Sequence, residues 1–377
     1  MSEIYKGRGK ASMRDDFLDF INLVFGFNGS DEDFLKLLPK LYKEQYQPCE
    51  NNYVVTEDGS LKSAIGVFKR EMIVGTERLQ VHGIGNVAVH PYARSRGYMR
   101  ELMTMAVQDM IKNGADLSDL GGNRHRYAYF SYECASPSYR FDIGPSDLRH
   151  KLASLPAREI TFREVKEGDA LVSDVIALHY TRLCRMDRPA ESFLDIAHSW
   201  QSKLFAIVEE ERFLGYYVGG MGELTLCSNE DFDAVIKAYV EKNGRFSLKF
   251  AGWETDLIRR AYRICGGCSL GNDQNYSIFN FKKVVGAFLA LKAETCTLAN
   301  GTMSFTVNGI AGTEKFRITV QDGKPSVEAC EDETDVMLEH LDAVAYFFGV
   351  ISPERSLAPL ANAWFPLPIF ISGADHV

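Results

Sequence analysis

The sequence lacks the features that mark a secreted or membrane-spanning protein. It contains no apolar run of about 18 residues, the length that a membrane-spanning helix needs, so no span is expected. Residues 1–6 carry no apolar segment of a secretory signal. We therefore expect a cytoplasmic protein.

Cysteine is sparse and scattered. Of the eight cysteines, only Cys265 and Cys268 lie close together, as Cys-Gly-Gly-Cys. Without a secretory signal a disulfide framework is not expected. One such pair, without a second pair or a histidine pair nearby, is weak evidence for zinc. We interpret the two thiols as structural or incidental and expect no metal site.

An excess of positive charge is also missing. The formal net charge of −9 argues against nucleic acid as the main partner. It is compatible with a cationic substrate, although ordinary surface charge explains it more simply. A length of 377 residues suggests two or three domains, and 46% hydrophobic with 25% charged residues is ordinary for a soluble globular protein.

The most informative stretch, residues 86–110, predicts a strand, a basic turn and the start of a helix. The alternation around Val87 and Val89 predicts the strand, and Pro91 ends it because proline lacks a backbone donor. Beyond the turn the apolar residues recur at helical spacing. They are Met99, Leu102, Met103, Ala106 and Met110.

A turn of this kind can hold a pyrophosphate. The start of a helix has unpaired N–H groups and a partial positive charge, which together bind anions. Gly97 lets the backbone approach a ligand closely, and Arg94 and Arg96 add positive charge. The stretch lacks the Lys-Ser/Thr end of a Walker loop and the GxGxxG of a dinucleotide fold. A basic turn that begins an ordinary helix remains the alternative.

Residues 94–99 resemble the pyrophosphate loop of the GNAT acetyltransferases, R/Q-x-x-G-x-G/A, with Met99 in the last position. The fuller pattern, Val87-Ala88-Val89 followed by Ser-Arg-Gly-Tyr-Met-Arg at residues 95–100, is similar to that of the Eis-type GNAT N-acetyltransferases, in which a larger residue at position 99 is usual. The resemblance implies that acetyl-CoA is the co-substrate. The residues implied to hold it are Val87, Ala88, Val89, Arg94, Ser95, Arg96, Gly97, Tyr98, Met99 and Arg100.

A tyrosine-rich segment follows one helix and one strand later. Residues 127–132, Tyr-Ala-Tyr-Phe-Ser-Tyr, are similar to the family's Tyr-x-x-Phe-Gly-Tyr segment. The resemblance implies that Tyr127 is the general acid and that Gly122 and Asn123 contact the cofactor. It also implies that the carboxylate of Val377 acts as a base. Residues 364–377 are apolar and rich in proline, unlike a frayed chain end, which predicts a buried tail.

The chain as a whole reads as three mixed units. Ser12-x-x-Asp15 and Ser30-x-x-Asp33 predict the starts of two N-terminal helices. A mixed α/β unit at residues 1–148 precedes a similar one at 149–276 that lacks the phosphate loop, and residues 277–377 predict a small α+β unit with an antiparallel sheet. The Eis resemblance implies tandem GNAT folds, the second degenerate, followed by a sterol-carrier-protein-like α+β domain. It further implies a homo-oligomer, such as the hexamers of the family.

Together these features predict an acetyl-CoA-dependent N-acetyltransferase, in which a primary amine attacks the thioester directly in a ternary complex. The acceptor stays open between an aminoglycoside, a polyamine and a lysine side chain of a peptide. The alternative is a non-catalytic acyl-CoA or lipid-binding protein, in which the C-terminal domain would supply an apolar cavity.

Overall fold

The computed structural model describes residues 3–27, 29 and 33–377. The strands in this part of the chain are β1 Ile4–Arg8, β2 Asn52–Glu57, β3 Ser60–Val74, β4 Glu77–Val89, β5 Leu117–Leu120, β6 Glu133–Ile143, β7 Ile160–Glu164, β8 Cys184–Met186, β9 Leu204–Glu209, β10 Arg212–Val218, β11 Glu223–Leu226, β12 Phe246–Ala251, β13 Gly267–Ile278, β14 Gly301–Gly309, β15 Gly312–Gln321, β16 Lys324–Ala329 and β17 Val336–Glu339. The α-helices are α1 Arg14–Phe27, α2 Phe34–Leu37, α3 Pro39–Tyr42, α4 Tyr98–Lys112, α5 Arg124–Ala128, α6 Pro145–Asp147, α7 Val172–Tyr180, α8 Phe193–Ala197, α9 Phe232–Asn243, α10 Thr255–Ile264, α11 Phe281–Thr295, α12 His340–Phe348, α13 Pro353–Ser356 and α14 Pro359–Trp364. None of these helices is both long and apolar enough to cross a membrane.

The N-terminal helices differ in detail from the prediction. Helix α1 begins at Arg14, after a short 3-10 turn, so Ser12 does not cap it. Ser30 lies outside the described residues, and Asp33 caps α2 by accepting a hydrogen bond from the N–H of Leu35 at 3.0 Å. The apolar spacing suggested one helix here, but the chain breaks it at Leu38, with φ −130° and ψ 63°. Pro39 disfavours the helical conformation in the residue before it.

The largest sheet combines strands from distant parts of the chain. Its order is β1-β2-β3-β4-β5-β13-β6-β12, and β8 pairs with the far end of β3. Strands β12 and β13 come from the residues assigned to the second unit, yet they pair with β6 of the first. The sheet therefore runs across both predicted boundaries, at residues 148 and 276, and the three-unit division stays a prediction.

Strands β4 and β5 are parallel and pair only briefly. Their register runs from Val81 opposite Leu117 to Ile84 opposite Leu120, where β5 ends. Because β4 continues to Val89, the two strands are no longer paired beyond Ile84. Helix α4 follows β4 through the basic turn, so the end of the pairing lies near the start of that helix.

A β-bulge lies where this pairing ends. The register between β3 and β4 shifts so that Asn86 and Val87 both face Ile65. Asn86 has φ +38°, and its side-chain amide is held by hydrogen bonds with Tyr42 and Asn52. A bulge leaves one residue without a ladder partner, so it frees a backbone group of β4 at this point.

A second sheet has the order β11-β10-β9-β7, with antiparallel neighbours. Helix α9 packs its apolar face on it, so that Val235 and Ile236 share a core with Tyr217 and Leu224. The mixed α/β class is confirmed. The GNAT-like character of this second unit stays a prediction.

The third sheet has the order β16-β15-β14-β17. The sequence predicted an antiparallel sheet, but β17 lies parallel to β14, because the chain crosses from the β16 edge to the opposite edge without reversing its direction. Rings from β14, α12 and the tail fill the interior: the Phe347 centroid lies 5.1 Å from those of both Phe305 and Phe365. Side chains therefore occupy this space, where the lipid-binding alternative needs a cavity. The sterol-carrier-like relationship stays a prediction.

Candidate active site

The basic turn and the start of α4 form one wall of a cavity of about 570 Å³. Gly97 precedes the helix with φ +84°, and no side chain caps the helix start. A Cβ on Gly97 would meet nothing within 4 Å, so the backbone there is open. Unpaired N–H groups at a helix start, with Arg94 and Arg100 on the same cavity, suit an anionic diphosphate.

The structure brings most of the predicted cofactor residues to this cavity. Those that line it are Val89, Arg94, Ser95, Gly97, Tyr98, Met99 and Arg100. Val87 is half-buried and packs in the core beneath α4. Ala88 is fully buried and packs against the α1 side of the sheet, so only its backbone remains for binding.

Arg96 is engaged elsewhere. Its Nη1 contacts both carboxylate oxygens of Glu57, at 2.7 and 2.8 Å, and the hydroxyl of Tyr98 binds the same carboxylate. Arg96 does not line the cavity, unlike Arg94. Its guanidinium ties the turn to β2, which gives it a structural contact that sequence spacing could not reveal.

The opposite wall comes from residues that the sequence analysis did not select. Arg126, Tyr129 and Phe130 line the cavity, and Tyr129 is 88% exposed. From the tyrosine-rich segment the sequence analysis selected only Tyr127. A signal was present in the sequence, because Tyr129 belongs to the segment that follows β5 and contains four aromatic residues in six.

Tyr127 is only 6% exposed and lies in α5. Its ring packs on the backbone of Gly122, where a Cβ would lie 2.9 Å from Cε2. Asn123 caps α5 by accepting a hydrogen bond from the N–H of Arg126 at 3.2 Å. Gly122 and Asn123 therefore hold Tyr127 in place, and none of these three residues lines the cavity at the basic turn. Burial raises the pKa of the Tyr127 phenol, so it stays protonated at neutral pH.

The C-terminus lies on the other face of the same sheet. The side chain of Val377 rests on β4, where a Cβ on Gly83 would lie 2.5 Å from Val377 Cγ2. A Cβ on Gly85 would lie 3.0 Å from the Val377 carboxyl carbon. Glycines at these two positions therefore leave room for the terminal residue on the strand, and the predicted burial of the tail agrees with this packing.

Two cavities meet at Val377. One, of about 490 Å³, is lined by β3 residues from Phe68 to Glu71 and by Asp187. The other, of about 460 Å³, is lined by Gly121 at the end of β5 and by Trp200. The terminal residue thus borders both spaces on the face of β4 opposite the cofactor cavity.

Side chains distant in sequence fix the tail backbone. Lys40 donates to the carbonyls of Ala374 and His376, the latter at 2.6 Å. Trp200 Nε1 donates to the same His376 carbonyl at 2.9 Å. Sequence reasoning missed these residues, because no local pattern distinguishes a lysine in a short helix from a surface lysine.

Arg70 joins the tail to the sheet. It pairs with the buried carboxylate of Asp119, and its Nη1 donates to the carbonyl of Asp375 at 2.6 Å. Asp119 lies in β5, one residue before the end of its pairing with β4. The contact therefore links the tail to β3 and β5, the two neighbours of β4 in the large sheet.

Cys265 and Cys268 are free thiols at the end of α10 and in β13. Burial raises the pKa of the Cys265 thiol, which disfavours the reactive thiolate. Within the described ranges, no cluster of three or more His, Cys, Asp or Glu side chains could hold a metal ion.

Comparison with known proteins agrees with this arrangement. Residues 8–135 match the family model of an acetyltransferase (GNAT) domain. A comparison with curated protein sequences gives no match. Among solved structures, the chain is similar to a conserved protein of Enterococcus faecalis described as a probable N-acyltransferase. That match has a TM-score of 0.67 and 17% identity, and it covers 98% of this chain and 97% of that one.

Two further solved structures match over nearly the full length. Eis1 from Mycobacterium abscessus has a TM-score of 0.63 and 14% identity, with coverage of 100% of both chains. A GCN5-related N-acetyltransferase from Anabaena variabilis has a TM-score of 0.66 and 13% identity, with coverage of 98% of both chains.

Residues 8–135 thus form a GNAT acetyltransferase domain. Acetyl-CoA is the co-substrate of this class. Over its whole length the chain has the fold of the Eis-like GNAT proteins, which confirms the resemblance to that family.

Proposed function

We propose that this enzyme transfers the acetyl group of acetyl-CoA to a primary amine of a small molecule, by direct attack of the amine. One observation carries the proposal: Val377, the chain terminus, borders two cavities on the face of β4 opposite the cofactor cavity. A carboxylate at that point can bind an amine on one face of β4, while the other face of β4 borders the co-substrate cavity.

The co-substrate supplies an acetyl thioester. The backbone at the start of α4, with Arg94 and Arg100, would hold the diphosphate. Tyr129 and Phe130 would cover the opposite side. The unpaired backbone of the Asn86–Val87 bulge would polarise the acetyl carbonyl by donating a hydrogen bond to its oxygen.

The carboxylate of Val377 would attract and orient the ammonium form of the acceptor. A terminal carboxylate has a reference pKa of about 3.5 and is a weak base, so orientation and charge contribute more than basicity. The amine proton would pass through water to this carboxylate. Burial keeps the Tyr127 phenol protonated, so Tyr127 can donate a proton to the departing thiolate.

The cavity lined by Phe68 to Glu71 and by Asp187, which we call the acceptor cavity, has a size that supports a small-molecule acceptor. A volume of about 490 Å³ lies within the usual range of small-molecule sites. Its walls include the carboxylate of Asp187 and that of Glu71, which also pairs with Arg78, and these would attract a cation. Lys69 and Arg70 also line it, so we expect the placement of charge to select between amines.

A thiol-release assay with acetyl-CoA and a panel of aminoglycosides, polyamines and lysine peptides tests this function. We expect turnover with a small amine, and a strong loss of kcat when the Val377 carboxylate is replaced by an amide through protein ligation. Calorimetric binding of acetyl-CoA without thiol release from any amine would support a non-catalytic binding protein. Preference for peptides would overturn the small-molecule acceptor.

A further inference from the structure

A fully buried arginine connects the second unit to the tail. Arg188 is 0% exposed, and its Nε and Nη2 bind the two carboxylate oxygens of Asp375 at 2.8 and 2.7 Å. Its Nη1 and Nη2 bind the two oxygens of Glu223 at 3.0 and 2.7 Å. One guanidinium thus holds two carboxylates in paired geometry, the arrangement in which arginine gives most orientation.

The partners of Arg188 are themselves held. Glu223 also lies 3.4 Å from Arg182 Nη1 and accepts from the hydroxyl of Tyr216 at 3.0 Å, and Ser372 of the tail donates to it. Burial opposes ionisation of Asp375, but Arg188 outweighs it and lowers the pKa of Asp375. The carboxylate therefore stays charged and attached at neutral pH.

Such a network needs a reason beyond stability. Buried ion pairs lose so much hydration that apolar replacements are often as stable, whereas their directed hydrogen bonds can specify one arrangement. Here the arrangement they specify is the path of residues 372–376. Lys40, Arg70 and Trp200 bind three carbonyl groups of the same segment.

We infer that this network, centred on Arg188, is a clamp that positions the Val377 carboxylate for catalysis. Asp375 is two residues from the terminus, so its fixation restricts where the carboxylate can lie against Gly83 and Gly85. Arg188, Lys40 and Trp200 are positioning residues, which act through the tail. The inference rests on the proposed role of the terminal carboxylate.

The clamp also gives the second unit a role in the active site. Arg188 follows β8, which pairs with β3 of the large sheet, and Glu223 begins β11 of the second sheet. The two residues therefore join the two sheets at the tail. A unit that carries no phosphate loop would in this way complete the active site of the first.

A double-mutant cycle tests the clamp. The full-length enzyme is made with Lys40→Met or Asp375→Asn, each with a normal terminus and with an amide in place of the Val377 carboxylate. With a normal terminus we expect kcat to fall at least about tenfold and the KM for acetyl-CoA to stay unchanged, because displacement of a reacting group by an ångström can cost about 100-fold. With the amide, the same substitution should change kcat less than about twofold.

Arg158→Gln is the matched control. Arg158 also binds a carboxylate in paired geometry, Glu209 at 2.6 and 2.8 Å, in the second sheet but away from the tail. We expect Arg158→Gln to lower the unfolding temperature and to leave kcat near the native value. Its small effect on kcat should be the same with a normal terminus and with the terminal amide. Thermal unfolding of each variant separates loss of fold from loss of position.

The outcomes are distinct. Equal loss of kcat with either terminus would overturn the clamp while the terminal carboxylate keeps its role. An amide-terminated enzyme as active as the native one would instead overturn the proposed role of Val377, and with it the purpose of the clamp. If Lys40→Met fails to fold, Asp375→Asn and Trp200→Phe each complete the same cycle.

Discussion

The side chain of Val377 lies against the backbone of Gly83, so close that a Cβ on the glycine would be 2.5 Å from Val377 Cγ2. The same Cβ would also collide with the guanidinium of Arg70. Gly83 and Val377 are far apart in the sequence but depend on each other, because β4 must lack a side chain at the point where Val377 packs.

Gly83→Ala should therefore displace the tail. The added methyl group has to move Val377 or Arg70, and overpacking of this kind costs about 1–3 kcal/mol of stability. We expect kcat to fall about tenfold or more with little change in the KM for acetyl-CoA, since the cofactor cavity lies on the other face. Steady-state kinetics and thermal unfolding measure the two effects.

Gly271→Ala is the control for this substitution. Gly271 also lies within a strand, and a Cβ there would meet nothing within 4 Å. We expect native kinetics for Gly271→Ala. If Gly83→Ala also has native kinetics, catalysis does not depend on the position of the tail on β4.

Tyr129→Ala should weaken acetyl-CoA binding. Its exposed ring lines the cofactor cavity, and loss of one aromatic contact raises KM by about tenfold if stacking contributes about 1–3 kcal/mol. Acetyl-pantetheine, which lacks the nucleotide, separates a contact to the nucleotide from one to the pantetheine arm. Tyr92→Ala is matched in exposure, at 87%, and does not line this cavity, so its KM should be native.

Tyr127→Phe should keep acetyl-CoA affinity and lose turnover by at least about 100-fold, because a general acid contributes that much or more. Burial raises the pKa of the Tyr127 phenol above its usual value of about 10, so the native enzyme should show no loss of kcat from deprotonation of this acid below that pH. Native turnover of Tyr127→Phe in a stopped-flow thiol assay would remove this residue from the reaction.

The protein should lose stability as the pH falls from about 6.5 to 4. Burial lowers the pKa of His82, His179 and His340 to about 4. The unfolded chain binds protons at these sites below about 6.5, while the folded chain does not until about 4, so protonation favours unfolding in that window. Their contribution is complete above pH 6.5 and is lost toward pH 4.

Urea unfolding at several pH values measures this slope. His179→Gln should flatten it, because one pKa unit of difference corresponds to about 1.4 kcal/mol. His125→Gln alters an exposed histidine and should leave the slope unchanged. A free energy of unfolding that stays constant from pH 7 to 4.5 would contradict the prediction.

The sequence by itself determined the basic turn and the helix that follows it. Helical spacing after a strand and a basic glycine turn are local features, so residues 94–100 fold into a helix start wherever they stand. For the same reason local patterns predicted α4 and β5 and the tyrosine-rich segment. The apolar, proline-rich character of residues 364–377 also sufficed to predict a buried tail.

Only the tertiary structure decided what surrounds the tail and which distant strands pair. Strands β12 and β13 look like any others in the sequence, and nothing local tells that they pair with β6. Arg188, Lys40 and Gly83 carry no pattern, because their roles depend on contacts across more than a hundred residues. Charge pairing and close packing depend on distance in space, and spacing along a chain fixes that distance only within one element.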